Sequence, residues 1–279
     1  MDQPTTERPQ TRPRVVVLTG TELRHRFAVE HFARSTQLEL VGAFCEVKQA
    51  SHQPIENEDV RAHFERRADA ERAQFAHQLA YGRLEDVPGV RVLPYREINE
   101  PHRVAEVEGL RPDYLFSFGC SLIKSSLLQT YAGRFVNMHL GLSPYYRGSG
   151  TNFWPFANGE LQFVGTTFMH IDAGVDTGSI IHQVRAGFVP GDDVHSVGNR
   201  LIDASIREAE QLLSALEGLN PATGSFAASP RRVYRRRDFT AAALGLARDR
   251  LGAGLVESYL ARAPGLASEY PILQALATR

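Results

Sequence analysis

The chain has 279 residues, of which 43% are hydrophobic and 23% charged, and its formal net charge is −1. That length suits one large domain, or one with a small appendage, and a near-neutral soluble composition argues against a global attraction to nucleic acid or an anionic membrane. No apolar run approaches the ~20 residues of a membrane helix, and Cys45 and Cys120 lie too far apart for a disulfide framework and lack metal-ligand spacing, so no metal is expected.

The leading stretch "MDQPTTERPQTRPR" lacks the apolar core of a signal peptide. It reads as a disordered tail over residues 1–13 and implies a soluble, cytoplasmic protein. "RVVVLTG" (Arg14–Gly20) is a β-branched run closing on glycine, a buried first strand. "TELRHRFAVEHFARS" sets Leu23, Phe27, Ala28 and His31 roughly on one helical face, and "LELVGAFC" (Leu38–Cys45) is the next strand. Strand, helix, strand at this spacing is a βαβ unit and implies a parallel sheet. Residues 51–85 interrupt the pattern with Phe64, Ala68, Phe75 and Leu79 near helical spacing in a highly charged setting, and predict one long surface helix, an insertion or lid.

"GVRVLPY" predicts a third strand, and "NEPHRVAEVEGLRP" a helix with Asn99 as its cap. "DYLFSFG" (Asp113–Gly119) and "RFVNMH" are the fourth and fifth strands. "LQFVGTTFMHI" and "SIIHQVRAGFV", joined by "DAGVDTG", predict antiparallel neighbours. "GDDVHSVGNRLIDASIREAEQLLSAL" opens on capping aspartates, with His195 near the start, and continues as a long helix. Beyond residue 222 the texture changes to a loop, the basic run "RRVYRRR", and a helical stretch interrupted by Gly252 and Gly254. The G-x-G-x-x-G dinucleotide fingerprint is missing after the first strand, so NAD binding is not indicated.

In open α/β sheets, ligands gather beyond the carboxyl ends of the strands. Three segments converge on such a place: "FSFGCS", "NMHLGLSP" and "HIDAGVDTG". Residues two apart on a strand point the same way, so Asn137 and His139 project together. An amide donor beside an imidazole suits a carbonyl whose oxygen becomes negative during attack. Gly174 and Gly178 let the chain turn around Asp176, returning a carboxylate to the imidazole. Without a serine or cysteine nucleophile, the set suggests direct transfer between two bound substrates. Each piece alone also suits a structural role: strand-end Asn and His as loop hydrogen-bonders, "DAGVDTG" as a tight hairpin, Cys120 as a packed side chain, and the basic run as a solvated face, a helix-end charge or a phosphate site.

The joint pattern "NMHLGLSPYYRG" followed by "DAGVDTGSII" resembles the formyltransferase family that uses 10-formyltetrahydrofolate, including glycinamide ribonucleotide, methionyl-tRNA and amino-sugar enzymes. The resemblance spans about Arg14 to Val189. It implies a Rossmann-like, mostly parallel α/β sheet with flanking helices over 14–221, followed by a short, mainly helical C-terminal extension over 222–279. Matched residue by residue, the catalytic set falls on Asn137, His139 and Asp176. The pterin of the donor would lie against the backbone of Phe118, Gly119, Cys120, Ser121, Leu122 and Ile123, and of Asp172, Ala173, Gly174 and Val175. Tyr145, Tyr146, Arg147, Thr151, Asn152 and Trp154 would face the acceptor.

Methionyl-tRNA members continue into an all-β C-terminal domain, whereas residues after 222 here read as helical. The resemblance therefore implies a small-molecule amine acceptor, led by a nucleotide-linked amino sugar and followed by amino-acid or hydroxylamine acceptors. Donor hydrolysis is the alternative activity. Neither nucleic acid nor membrane is expected as a partner, and a homodimer is the assembly considered.

Overall fold

The computed structural model describes residues 12–48, 57–124, 126–172, 174, 177–219 and 231–276. The first half alternates β1 (Arg14–Gly20), α1 (Leu23–Ala33), β2 (Glu39–Glu46), α2 (Glu58–Phe75), β3 (Val90–Leu93), α3 (Pro101–Gly109), β4 (Tyr114–Phe118), α4 (Leu127–Thr130) and β5 (Phe135–His139). There follow β6 (Tyr146–Gly148), α5 (Trp154–Asn158), β7 (Gly165–His170), β8 (Ile180–Arg185) and α6 (Val194–Ala215). The C-terminal part holds β9 (Arg232–Tyr234), α7 (Ala241–Gly252), α8 (Leu255–Leu260) and α9 (Ala263–Glu269).

Seven strands form one sheet in the order β3-β2-β1-β4-β5-β7-β8. The pairs from β3 through β5 are parallel, and β7 and β8 run antiparallel to their neighbours. The expected antiparallel pair is β7 and β8, because the short "DAGVDTG" link leaves no room for a crossover. Between β1 and β4 the order of connection reverses, which opens a crevice at the carboxyl ends of the strands.

Strand alternation divides the core between the two faces. Val15, Val17, Phe116, Val136 and Met138 pack with Phe27, Phe32 and Phe75, and with Ile206, Leu212 and Leu213 of α6. Val16, Leu18, Leu115 and Phe135 face the other way, against Val104 and Val107 of α3 and Leu127 and Tyr131 beside α4. Fully burying a large apolar side chain contributes about 1.5–3 kcal/mol, so the alternation fixes the register: a slip of one residue would exchange the faces. A further core joins Tyr145, Tyr146, Trp154 and Phe163 to Val197 and Leu201 of α6 and to Ala243, Ala247, Val256 and Leu266 of the C-terminal helices.

Three local expectations differ from the structure. Among the described residues of the segment 51–85, α-helix covers Glu58–Phe75, and it is not a loose surface element. Phe75 stacks on Phe27 with 4.8 Å between ring centres, and Arg24 Nη1 pairs with Glu71 Oε1 at 2.7 Å where both side chains are buried. Asn99 does not cap α3; Glu100 does, with Pro101 opening the helix. The Asn99 amide instead bridges a loop, accepting from Lys124 N–H at 2.6 Å and donating to the Leu122 carbonyl at 3.1 Å. The basic run is not a helix-end charge at its centre: Arg232–Tyr234 form β9, paired in parallel with β6, while Arg231, Arg235, Arg236 and Arg237 are exposed as a solvated face would be. At the far edge of the sheet, the segment after α9 runs along β8, where Gln183 N–H donates to the Leu273 carbonyl at 2.7 Å and Ala275 N–H donates to His182 Nδ1 at 3.0 Å.

Candidate active site

Strand β5 carries the central pair. Phe135 belongs to the α3/α4 face, so alternation turns Asn137 and His139 to that same face while Val136 and Met138 fill the opposite core. Ser117 of β4 sits directly across from Asn137 in the parallel register. Its Oγ donates to Asn137 Oδ1 at 2.9 Å. With the amide oxygen occupied, the amide nitrogen is the end turned to the rest of the site. Ser117 was not among the sequence candidates. Its signal was a single hydroxyl in the apolar run "YLFSF", on the face that also carries Asn137.

His139 is 7% exposed. Its Nε2 lies 3.3 Å from the carbonyl oxygen of Tyr146, and since a carbonyl only accepts, Nε2 is the protonated nitrogen in that bond. The loop that returns the chain to this carbonyl leaves no slack: a Cβ on Gly141 would lie 2.7 Å from His139 Nε2 and equally close to Thr151. Thr151 donates its hydroxyl to the Leu140 carbonyl. On the neighbouring strand, Thr167 Oγ1 donates to Gly141 O at 2.6 Å and accepts from Ser143 N–H at 3.0 Å.

Two loops border this face. The loop after β4 is fastened at Ser121, whose N–H and Oγ both reach the buried Glu46 carboxylate, at 2.7 and 3.0 Å. Leu122 is 48% exposed, Ile123 is buried, and Gly119 adopts a φ of +69°. Burial and the Glu46 charge push the Cys120 thiol up to about 12, which keeps it protonated and unreactive at neutral pH. The other loop follows β7. There the exposed Asp172 accepts from Gly174 N–H at 2.9 Å and from Thr177 Oγ1 at 2.8 Å. Gly178 lies so close to the His170 carbonyl that a Cβ would come within 1.6 Å of its oxygen. Ala173, Val175 and Asp176 lie outside the described residues.

The six residues expected to face an acceptor take different positions. Tyr145 and Tyr146 are fully buried in the core shared with the C-terminal helices. Trp154 lies flat on Tyr234, with ring centres 4.0 Å apart and planes 6° apart, and is nearly covered. Thr151 is buried beside His139, and Asn152 Oδ1 accepts from Gly165 N–H at 3.0 Å. Arg147 is half-buried on β6. Packing by residues 231–276 helps to cover Tyr145, Tyr146 and Trp154, which local pattern could not show.

At the carboxyl end of β1 stands a charged group the sequence reading left out. His25 is wholly buried against Gly20 and Gly119, with its Nδ1 2.6 Å from Glu22 Oε2. Burial and the Arg24 charge push His25 down to about 4. Burial opposes ionisation of Glu22, yet its close contact with His25 and the charges of Arg24 and Lys48 hold it well below the usual carboxylate range.

The family model for "Formyl transferase" matches residues 15–215. This chain belongs to the formyl transferase family. Its similar curated proteins include the methionyl-tRNA formyltransferase of Geobacter metallireducens, 33% identical over 137 residues that cover 48% of this chain and 42% of that protein. The methionyl-tRNA formyltransferase of Geobacter sulfurreducens is 32% identical over 133 residues, 47% of this chain and 40% of that protein. The chain thus matches less than half the length of these relatives.

Solved structures agree on the formyltransferase fold. A Mycobacterium tuberculosis protein suggested to be a sugar N-formyltransferase aligns with a TM-score of 0.52 at 24% identity, covering 81% of this chain and 77% of that one. Phosphoribosylglycinamide formyltransferase from Coxiella burnetii aligns with a TM-score of 0.52 at 19% identity, covering 76% and 92%.

Proposed function

We propose that this chain transfers a formyl group from 10-formyltetrahydrofolate to a primary amine of a small molecule, with a nucleotide-linked amino sugar as the leading acceptor. The observation that carries the reading is the shared face of Asn137 and His139, with the Asn137 amide oxygen tied back by Ser117. An amide N–H and an imidazole N–H carried on one face of a strand are donors of the kind a developing oxyanion needs.

In this reading the acceptor nitrogen attacks the formyl carbon. A C–N bond forms, and the carbonyl electron pair moves onto oxygen. Asn137 Nδ2 and His139 donate to that oxygen. Asp176 orients the imidazole and takes up the proton released by the amine. Collapse of the adduct returns the electron pair to the carbonyl and breaks the bond to N10 of the folate, which receives the proton. The two bordering loops fit a flat heterocycle with alternating donors and acceptors. The peptide groups between the anchors at Ser121 and Lys124, and the turn that begins at Asp172, are where it would pair. Burial keeps Cys120 from competing as a nucleophile.

What supports a small acceptor is that residues 231–276, whose longest elements are the helices α7, α8 and α9, pack onto the catalytic body through its second core. The test is the release of tetrahydrofolate from 10-formyltetrahydrofolate in the presence of a panel of nucleotide-linked amino sugars, amino acids and hydroxylamines. Release that depends on one amine class, with one formamide formed per folate released, supports transfer. Formate release indifferent to every amine would replace transfer by hydrolysis, and no release at all would remove the donor.

A further inference from the structure

Tyr146 is the residue through which the C-terminal segment meets His139. Its carbonyl accepts from His139 Nε2. Its hydroxyl donates to Glu160 Oε2 and accepts from Asn158 Nδ2 at 2.8 Å. Glu160 is in turn gripped by Arg232 of β9, with Nε to Oε2 at 3.1 Å and Nη2 to Oε1 at 2.7 Å. The same Arg232 sits opposite Tyr146 in the β6–β9 pairing, and its backbone N–H donates to the Tyr145 carbonyl at 2.7 Å. One residue far along the chain therefore holds both the backbone and the side chain of the residue that holds the histidine.

We propose that β9 is part of the catalytic apparatus, with Arg232 a positioning residue that sets His139 through Glu160 and Tyr146. The inference rests on the formyl-transfer reading for its chemical consequence, though its geometry stands on the protein alone. The mechanism is control of the tautomer. A carbonyl fixed in front of Nε2 keeps a proton there, so Nδ1 is the nitrogen left to face the reacting atoms. If the carbonyl swings away, a neutral imidazole can carry its proton on either nitrogen, and half-correct orientations appear.

Several features make the coupling stiff. The carboxylate and guanidinium meet as a two-point fork, which fixes direction as well as distance. Asn158 Nδ2 also donates to Tyr234 Oη at 2.8 Å, and Tyr234 is clamped beneath Trp154, so the phenol end of Tyr146 is braced from β9 twice. Gly148 ends β6 with a φ of +94° and its Cα so near Tyr234 that a Cβ would lie 2.1 Å from the Tyr234 carbonyl oxygen. The two short strands can approach this closely only with glycine there.

The test reads the imidazole itself. Protein labelled with 15N-histidine, with His139 assigned by its substitution, is compared among wild type, Arg232→Ala, Arg232→Lys and Tyr146→Phe at a pH where His139 is neutral. In wild type the proton resides on Nε2. Arg232→Ala and Tyr146→Phe are expected to show a second population protonated on Nδ1, with Arg232→Lys in between because an ammonium keeps the charge without the fork. With the best amine of the panel, turnover number falls about 10- to 100-fold in the Ala variant, the scale of loss for a small misplacement of a catalytic group, while KM for the donor is unchanged.

A wild-type imidazole protonated on Nδ1, or a Tyr146→Phe spectrum superimposable on wild type, overturns the proposal. If Arg232→Ala does not fold, Tyr146→Phe, which removes one oxygen only, decides alone. A wild-type protein that transfers no formyl group would sink the functional reading without touching the spectral result.

Discussion

Ser117 Oγ and Asn137 Oδ1 face each other across β4 and β5 at 2.9 Å, and this bond decides which end of the Asn137 amide meets a ligand. Removing it frees the amide to rotate by half a turn and present its oxygen, which would repel an oxyanion. A neutral hydrogen bond of this kind is worth about 0.5–1.5 kcal/mol, so Ser117→Ala is expected to lower kcat roughly 2- to 10-fold with KM for the donor unchanged. A variant with full kcat and normal thermal stability would show that Ser117 does not orient the amide.

His139→Asn should be more severe. General acid–base and charge-stabilising roles commonly contribute about 10²–10⁴-fold, and the fold should tolerate the change because Asn is smaller and polar. Asp176→Asn is expected to act in the same direction. The measurement is single-turnover formyl transfer with circular dichroism alongside; folded variants retaining near-normal rates would refute the assignment.

Stability hinges on α2 through Glu71. Its carboxylate meets Arg24 at 2.7 Å and Arg67 at 3.0 Å, with the Arg24 and Glu71 side chains only 7% and 6% exposed. Removing one partner of a buried pair leaves an uncompensated charge and typically costs about 3–5 kcal/mol. Glu71→Ala is therefore expected to shift the urea midpoint strongly, and Arg67→Ala, whose side chain is more exposed, much less. Equal small shifts would mean that α2 is not held by this pair.

Acid should destabilise the protein before its carboxylates protonate. His25 is pushed down to about 4 by burial and Arg24, and His63 to about 4 by burial and His195. The unfolded chain regains the ordinary value near 6.5, so between the two values it binds more protons than the folded chain. The stabilisation is fully present above about 6.5 and falls as the pH drops toward 4, by up to about 1.4 kcal/mol per pH unit for each group. Urea unfolding between pH 7 and 5 checks the slope, and His63→Phe, placed among Phe64, Phe153 and Phe239, should flatten it. A flat profile in the wild type would contradict the burial of both rings.

Much of the frame was legible because it is written in local pattern. "RVVVLTG", "DYLFSFG" and "RFVNMH" are apolar runs with one face each to fill, and Asp193 caps α6 through His195 and Ser196 N–H as its position suggested. The Asn137–His139 pair was legible for the same reason, since strand alternation alone puts both on one face. Asn99 misled because its amide found loop partners after β4 instead of a helix end. Tyr145 and Tyr146 looked like ligand-facing aromatics because part of the core that swallows them comes from helices a hundred residues further along the chain. Arg232 stood out only as one member of a basic run: a three-residue strand acquires meaning only from the partner it pairs with.

The segment laid along β8 has a consequence for assembly. A bare outer strand offers a row of unpaired peptide groups, an open template on which another polypeptide can nucleate. Here the Leu273 carbonyl already takes the Gln183 N–H, and Leu273 and Ala275 N–H bond the Gln183 and His182 side chains beside it. A visiting chain is thereby hindered from pairing at Gln183, and trimming the residues after α9 would lay that peptide group bare.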